Sequence, residues 1–183
     1  MRIIAGQFRG VTLASVGKGD ATAHLRPTSD RVRESLFNVL ANHGATDGAR
    51  VLDLFAGTGA LGLEALSRGA AHVTFVDDGA RAGQLIRQNI AITRSADKTR
   101  LIRRDARRLP GNPDAPFDLV FLDPPYGKGL GQEALAAAAA GGWLADDALI
   151  VWEERHPQAA PEGFVLLDQR RYGDNHVTIL QAG

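Results

Sequence analysis

From Arg50 onward the chain alternates short apolar runs with helix-length segments, and this alternation narrows the possible folds more than any other feature. Residues 51–55, 72–77, 99–103, 117–122 and 148–152 are short and rich in β-branched, leucine or aromatic side chains, the signature of buried strands. Between them, residues 60–68, 80–92 and 131–140 read as helices, the last an alanine run of strong helix formers. Successive strands joined by crossover helices run in one direction, so the sheet is expected to be mostly parallel and covered on both faces. Residues 164–169 and 176–180 flank Gly173-Asp174-Asn175 and predict an antiparallel pair at the end of that α/β sheet.

The first 45 residues have a different pattern. Residues 2–5 and 10–13 read as two short strands around a turn near Gln7-Phe8-Arg9, and residues 14–20 as a glycine-rich flexible loop. Arg26-Pro27-Thr28-Ser29-Asp30 then opens a helix, with Thr28 or Ser29 as N-cap and Asp30 complementing the helix dipole in the first turn. Val32, Leu36, Val39 and Leu40 form its apolar stripe, Arg31 and Arg33 fall outside it, and the helix should stop near Asn42-His43-Gly44. The expected division is a hairpin and basic helix at 1–45, packed on an α/β core at 46–183.

Formal net charge is zero, but its distribution is uneven. Residues 1–36 hold six basic side chains against three acidic, and residues 81–108 hold nine against two. Two basic segments in a neutral chain suggest a one-sided footprint for a polyanion; solvated arginine faces are the plainer alternative. The absence of cysteine excludes disulfides, thiolate metal sites and cysteine nucleophiles. The five histidines show no metal-ligand spacing, so no metal is expected. No apolar run approaches the roughly 18–20 residues that span a bilayer, and the first residues do not read as a signal peptide. A cytoplasmic protein with no membrane association, and a monomer, is the expectation.

Two loops carry the chemistry. Residues 117–122 end in Asp123-Pro124-Pro125-Tyr126, which can neither continue the strand nor begin a helix, since proline removes backbone donors and fixes φ. A stiff loop at the carboxyl end of a parallel strand is where open α/β sheets place ligands. It offers a carboxylate, free carbonyls and a flat π face, a set suited to a planar group bearing an NH2.

The other loop is Asp53-Leu54-Phe55-Ala56-Gly57-Thr58-Gly59-Ala60-Leu61-Gly62, which crosses from strand to helix. Gly57, Gly59 and Gly62 satisfy G-x-G-x-x-G, so a nicotinamide or flavin dinucleotide must be considered. Against it, Asp53 lies inside the strand, where a carboxylate suits an ammonium better than a pyrophosphate. Asp77 ends the next strand, placed for the two hydroxyls of a ribose, although Asp78 could serve instead. Asp105 lies where the following strand would meet an adenine amino group. A ligand with an ammonium, a ribose and no phosphate is S-adenosylmethionine.

With these motifs together, the chain resembles the class I S-adenosylmethionine-dependent methyltransferases, with a Rossmann-like fold. Within that class it is similar to the bacterial 16S ribosomal RNA guanine-N2 methyltransferases, the small-subunit methyltransferase D family. The resemblance rests on residues 1–6 with Arg9-Gly10, on residues 26–38, on residues 53–65 and on Asp123 to Tyr126. It implies that Asp53, Phe55, Ala56, Gly57, Thr58, Gly59, Asp77, Asp105 and Ala106 bind S-adenosylmethionine, which leaves as S-adenosylhomocysteine. It implies that Asp123, Pro124, Pro125 and Tyr126 receive the target guanine. Arg2, Arg9, Arg26, Thr28, Arg31 and Arg33 are then expected to contact 16S rRNA, within a small-subunit particle, and the family's target is guanine 966. Open alternatives are a DNA adenine-N6 or protein glutamine-N5 methyltransferase, a dinucleotide-dependent oxidoreductase, and a non-catalytic RNA-binding module. Whether Asp123 takes a proton or only accepts hydrogen bonds is also open.

Overall fold

The computed structural model describes residues 1–17 and 28–183. Among these residues seven strands form one sheet: β1 (Arg50–Leu54), β2 (His72–Val76), β3 (Thr99–Ile102), β4 (Phe117–Leu122), β5 (Leu144–Glu154), β6 (Phe164–Tyr172) and β7 (Asn175–Ala182). Their spatial order is β3-β2-β1-β4-β5-β7-β6. The first five are parallel, and β7 runs antiparallel between β5 and the edge strand β6. The α/β architecture with antiparallel strands at its C-terminal end is therefore as the sequence pattern requires. Strand order reverses between β1 and β4, which opens a crevice beyond their carboxyl ends.

Among the described residues, four α-helices cover the sheet: α1 (Asp30–Asn42), α2 (Ala60–Ser67), α3 (Ala80–Thr93) and α4 (Leu130–Ala140). Alternate strand residues point to opposite faces. Val51, Phe75, Phe121, Val151 and Ile179 meet Leu36, Phe37 and Leu40 of α1, Leu63 of α2 and Ile86 of α3 in one core. Leu52, Val76, Val120, Ile150 and Leu180 meet Ala134, Leu135 and Ala138 of α4 in the other. Helix α4 approaches closely because Gly131 lies over the Trp152 indole, where a Cβ would come within 2.5 Å.

The N-terminal segment is a tight hairpin rather than two full strands. Arg2 and Thr12 form an isolated antiparallel bridge, closed by Ile3 N–H to Val11 O at 3.0 Å and Leu13 N–H to Met1 O at 2.9 Å. Ile3 and Leu13 enter the same core as α1. Ser29 is the N-cap of α1, its hydroxyl accepting from Val32 N–H at 3.2 Å. The expected loop at 14–20 lies partly, and His24 and Arg26 wholly, outside the described residues.

One expectation about α1 fails. Arg31 is exposed, but Arg33 is fully buried and belongs to the inner face with Leu36, Phe37 and Leu40. Its guanidinium pairs with Asp30 and Glu64 and donates to the Arg2 carbonyl at 2.8 Å. An arginine reads as solvent-facing from its charge alone; here two carboxylates and a carbonyl compensate its desolvation.

Candidate active site

The loop after β1 turns through three left-handed residues, Phe55 (φ 57°), Gly57 (φ 60°) and Gly59 (φ 80°). Non-glycine residues rarely adopt such φ, so Phe55 marks a backbone that its surroundings hold in place. The holding groups are the aspartates singled out in the sequence. Asp53 is buried, and its Oδ2 accepts Gly62 N–H at 3.0 Å, so it braces the start of α2 from beneath. Asp77 accepts Gly57 N–H at 2.9 Å with one oxygen and Gly79 N–H at 2.8 Å with the other. One carboxylate thus ties the loop after β1 to the loop after β2. Asp78, the alternative, is exposed.

Burial raises Asp53 well above the ordinary carboxylate range; the Gly62 N–H opposes that shift and the Asp77 charge adds to it. Asp77 is also raised by burial, against the pull of the Gly57 and Gly79 amides. Asp105 caps a single helical turn through Arg107 N–H at 2.9 Å and pairs with the Arg107 guanidinium at 2.7 Å. That guanidinium holds Asp105 below its ordinary range.

Across the crevice, Asp123 follows β4. Parallel register sets Asp53 beside Phe121 and Leu54 beside Leu122, so Asp53 and Asp123 stand on adjoining strand ends. Burial is the main cause that raises Asp123 well above the carboxylate range, with further repulsion from Glu153, Asp53 and Glu154. Pro124 is buried, Pro125 exposed and Tyr126 half-buried. Tyr126 donates its hydroxyl to Glu153 Oε1 at 3.0 Å.

The donor set distinguishes between ligands. Acidic side chains end three neighbouring strands, and the stretch 53–62 carries no basic residue to meet a pyrophosphate. The Gly57 N–H, which a phosphate-binding loop would leave free for its ligand, is already taken by Asp77. The site fits a cationic, ribose-bearing, unphosphorylated group, and the residues available to hold S-adenosylmethionine are Asp53, the loop 55–59, Asp77, Asp105 and Ala106.

Comparison with known proteins agrees. The family described as "Conserved hypothetical protein 95" matches residues 1–181. Ribosomal RNA small subunit methyltransferase D of Escherichia coli is 42% identical over 161 residues, covering 88% of this chain and 78% of that protein. The chain belongs to the methyltransferase D family. The protein of the same name from Haemophilus influenzae is 38% identical over 179 residues, covering 94% of this chain and 89% of its own. The solved structure of Escherichia coli yhhF superposes at a TM-score of 0.84 with 38% identity, over all of this chain and 97% of that one.

Within this methyltransferase D fold, the residues expected to meet RNA are scattered. Thr28 and Arg31 lie at the start of α1, and the Thr28 hydroxyl reaches Glu153 at 3.4 Å, beside the Asp123 loop. Arg2 is exposed, with its N–H directed at Asp30. Arg9 belongs to the hairpin turn, whose Gln7 and Phe8 amides donate to Ser67 at the far end of α2. It therefore sits away from the Asp123 loop. Arg33 is withdrawn into the core and has no surface to offer. Glu153 escaped the sequence reading, although its signal was visible: like Asp77, it is an acid at the end of an apolar strand. Among the described residues no helix is long and apolar enough to cross a membrane.

Proposed function

We propose that this protein transfers a methyl group from S-adenosylmethionine to the exocyclic N2 amine of a guanine in small-subunit ribosomal RNA, conventionally guanine 966. The observation that carries the reading is the half-buried Asp123 carboxylate, followed by Pro124, facing the glycine loop across the crevice between β1 and β4. When bound, S-adenosylmethionine supplies an electrophilic methyl carbon. The rest is positioning. A guanine amine is a weak nucleophile because its lone pair is delocalised into the ring. Asp123 and the Pro124 carbonyl accept its two N–H bonds, drawing the nitrogen towards tetrahedral geometry and its lone pair out of the ring plane. Tyr126 stacks on the base, a type of contact worth about 1–3 kcal/mol. Asp123, already held above the carboxylate range, is a better proton acceptor than an ordinary aspartate once it is ionised.

Residues 1–45 serve in this reading as a layer on the 46–183 core that carries Thr28 and Arg31 to the mouth of the site, and Arg2 beside α1. Looped or single-stranded RNA suits such a pocket, since its bases are free to enter. Arg31→Ala should leave the melting temperature unchanged and lower the slope of log affinity against log salt by about 1, as loss of one phosphate contact requires. An unchanged slope removes α1 from the RNA surface. The reading as a whole is tested by mass mapping of small-subunit RNA from cells lacking this protein. One lost N2-methylguanine is expected; an unaltered methylation map overturns it.

A further inference from the structure

Glu153 closes the apolar run of β5, on the sheet face that packs against α1, and only 7% of its surface is exposed. Its Oε1 accepts the Tyr126 hydroxyl at 3.0 Å and the Asn175 amide at 3.1 Å, while Oε2 faces the Thr28 hydroxyl at 3.4 Å. These three partners come from separate segments: the loop after β4, the start of β7, and the residue that precedes the cap of α1. A second tie lies alongside, from Ser35 of α1 to the Tyr172 hydroxyl at the end of β6, at 3.2 Å. Among the described residues no cation pairs with Glu153. A buried carboxylate whose donors among the described residues are neutral is an expensive way to join segments that apolar side chains could join. The cost has a local return in geometry. The ring that the charge holds is the one flat surface of the Asp123 loop, and a stacking platform works only if its plane is set before the base arrives.

We propose that Glu153 is the positioning residue for Tyr126, fixing its ring by the phenol and joining it to the entry of α1 and the β6–β7 turn, so that these walls of the base pocket are held as one unit. The inference rests on the nucleobase reading above and adds a residue to it. It explains a tyrosine at position 126: phenylalanine offers the same π face but nothing for Glu153 to grip. Burial raises Glu153 above its ordinary range, while Tyr126, Thr28 and Asn175 lower it, consistent with donors gathered to hold an ionised group.

The test compares Tyr126→Phe, Glu153→Ala, Glu153→Gln and the Tyr126→Phe/Glu153→Ala pair in steady-state methylation of small-subunit RNA. Tyr126→Phe and Glu153→Ala should each raise KM for RNA by about tenfold, the loss expected for one hydrogen bond to a charged group, with kcat within about twofold. The pair should be no worse than Glu153→Ala alone, because both changes break the same contact. Glu153→Gln keeps an acceptor for the phenol and should return KM to within about twofold of the native protein. Full additivity of the pair overturns the proposal, as does a glutamine variant as impaired as the alanine one. Hydrogen exchange over residues 123–129 reads the same tie without RNA. Faster exchange in Tyr126→Phe and Glu153→Ala supports it, and unchanged exchange overturns it. Failure of the native protein to methylate that RNA sinks the functional reading instead, and exchange still decides the role of Glu153.

Discussion

Asp123→Ala should lower turnover by about 10²–10⁴-fold, the range for removal of a group that accepts a proton or hydrogen bonds from the reacting centre. Affinity for S-adenosylhomocysteine should stay within a few-fold, because the bracing of the cofactor loop comes from Asp53 and Asp77. Isothermal titration and a single-turnover assay separate the two quantities. Near-normal turnover would remove Asp123 from the chemistry. Stability should move the other way. Burial and three neighbouring carboxylates raise Asp123, so the folded protein holds that proton more tightly than the unfolded chain. The stability linked to the proton is complete below the unfolded-chain value of about 3.9 and is lost as pH climbs through the raised folded value. Near neutral pH the ionised group is a liability. Asp123→Asn, neutral and of the same shape, should therefore melt higher at pH 7 by about 2–4 °C, the equivalent of roughly 1 kcal/mol at this chain length. The gain should shrink as pH falls towards 4, and a melting point below the native one at pH 7 would contradict the electrostatic account. Activity that needs the ionised form should likewise rise with pH along a limb displaced above the ordinary carboxylate range.

Arg33→Ala should be the most destabilising of these substitutions. Glu64 lies wholly inside the protein, accepting Ile4 N–H at 2.9 Å, Ala5 N–H at 3.2 Å and Arg68 Nε–H at 2.9 Å besides its contact with Arg33. Through that one carboxylate the N-terminal hairpin, α1 and α2 are joined. Removing the Arg33 guanidinium leaves a buried anion with one partly exposed cation and opens a void beside Leu36 and Phe37. Breaking a buried pair from one side costs about 3–5 kcal/mol, or a melting point lower by roughly 6–20 °C for a chain of this length. Glu64→Gln should be milder, because an amide still accepts the backbone N–H groups and no uncompensated anion remains. A melting point within 2 °C of the native protein would show that the hairpin is held by its apolar contacts alone. The contrast with Arg31→Ala is direct: the first substitution is expected to change stability, and the second the salt dependence of RNA binding.

The parts legible in the sequence are those governed by near neighbours. Strand and helix periods, the Ser29 cap, the stop at Asn42 and the turn before Asn175 all depend on residues a few positions apart. The loops after β1 and β4 were legible for the same reason, since proline, glycine and a strand-ending acid act on their own backbone. The sequence marks Asp53 and Asp77 as ligand-facing acids. The contacts they make in the structure are with Gly62, Gly57 and Gly79, so they hold the loop after β1 in shape. The short hairpin at the N-terminus was legible as a turn but not as a single bridge, because its apolar side chains pack on the sheet core rather than on one another.

By itself the sequence determined a mostly parallel α/β sheet, a glycine loop after its first strand and an acid-proline-aromatic loop after its fourth, because each follows from local sterics and periodicity. Only the tertiary structure decided which charges are inside. Arg33 meets Glu64 across 31 positions, and Thr28 meets Glu153 across 125. Local pattern carries no information about such partners, and a charged residue enters the interior only where the fold brings it groups that compensate its lost hydration.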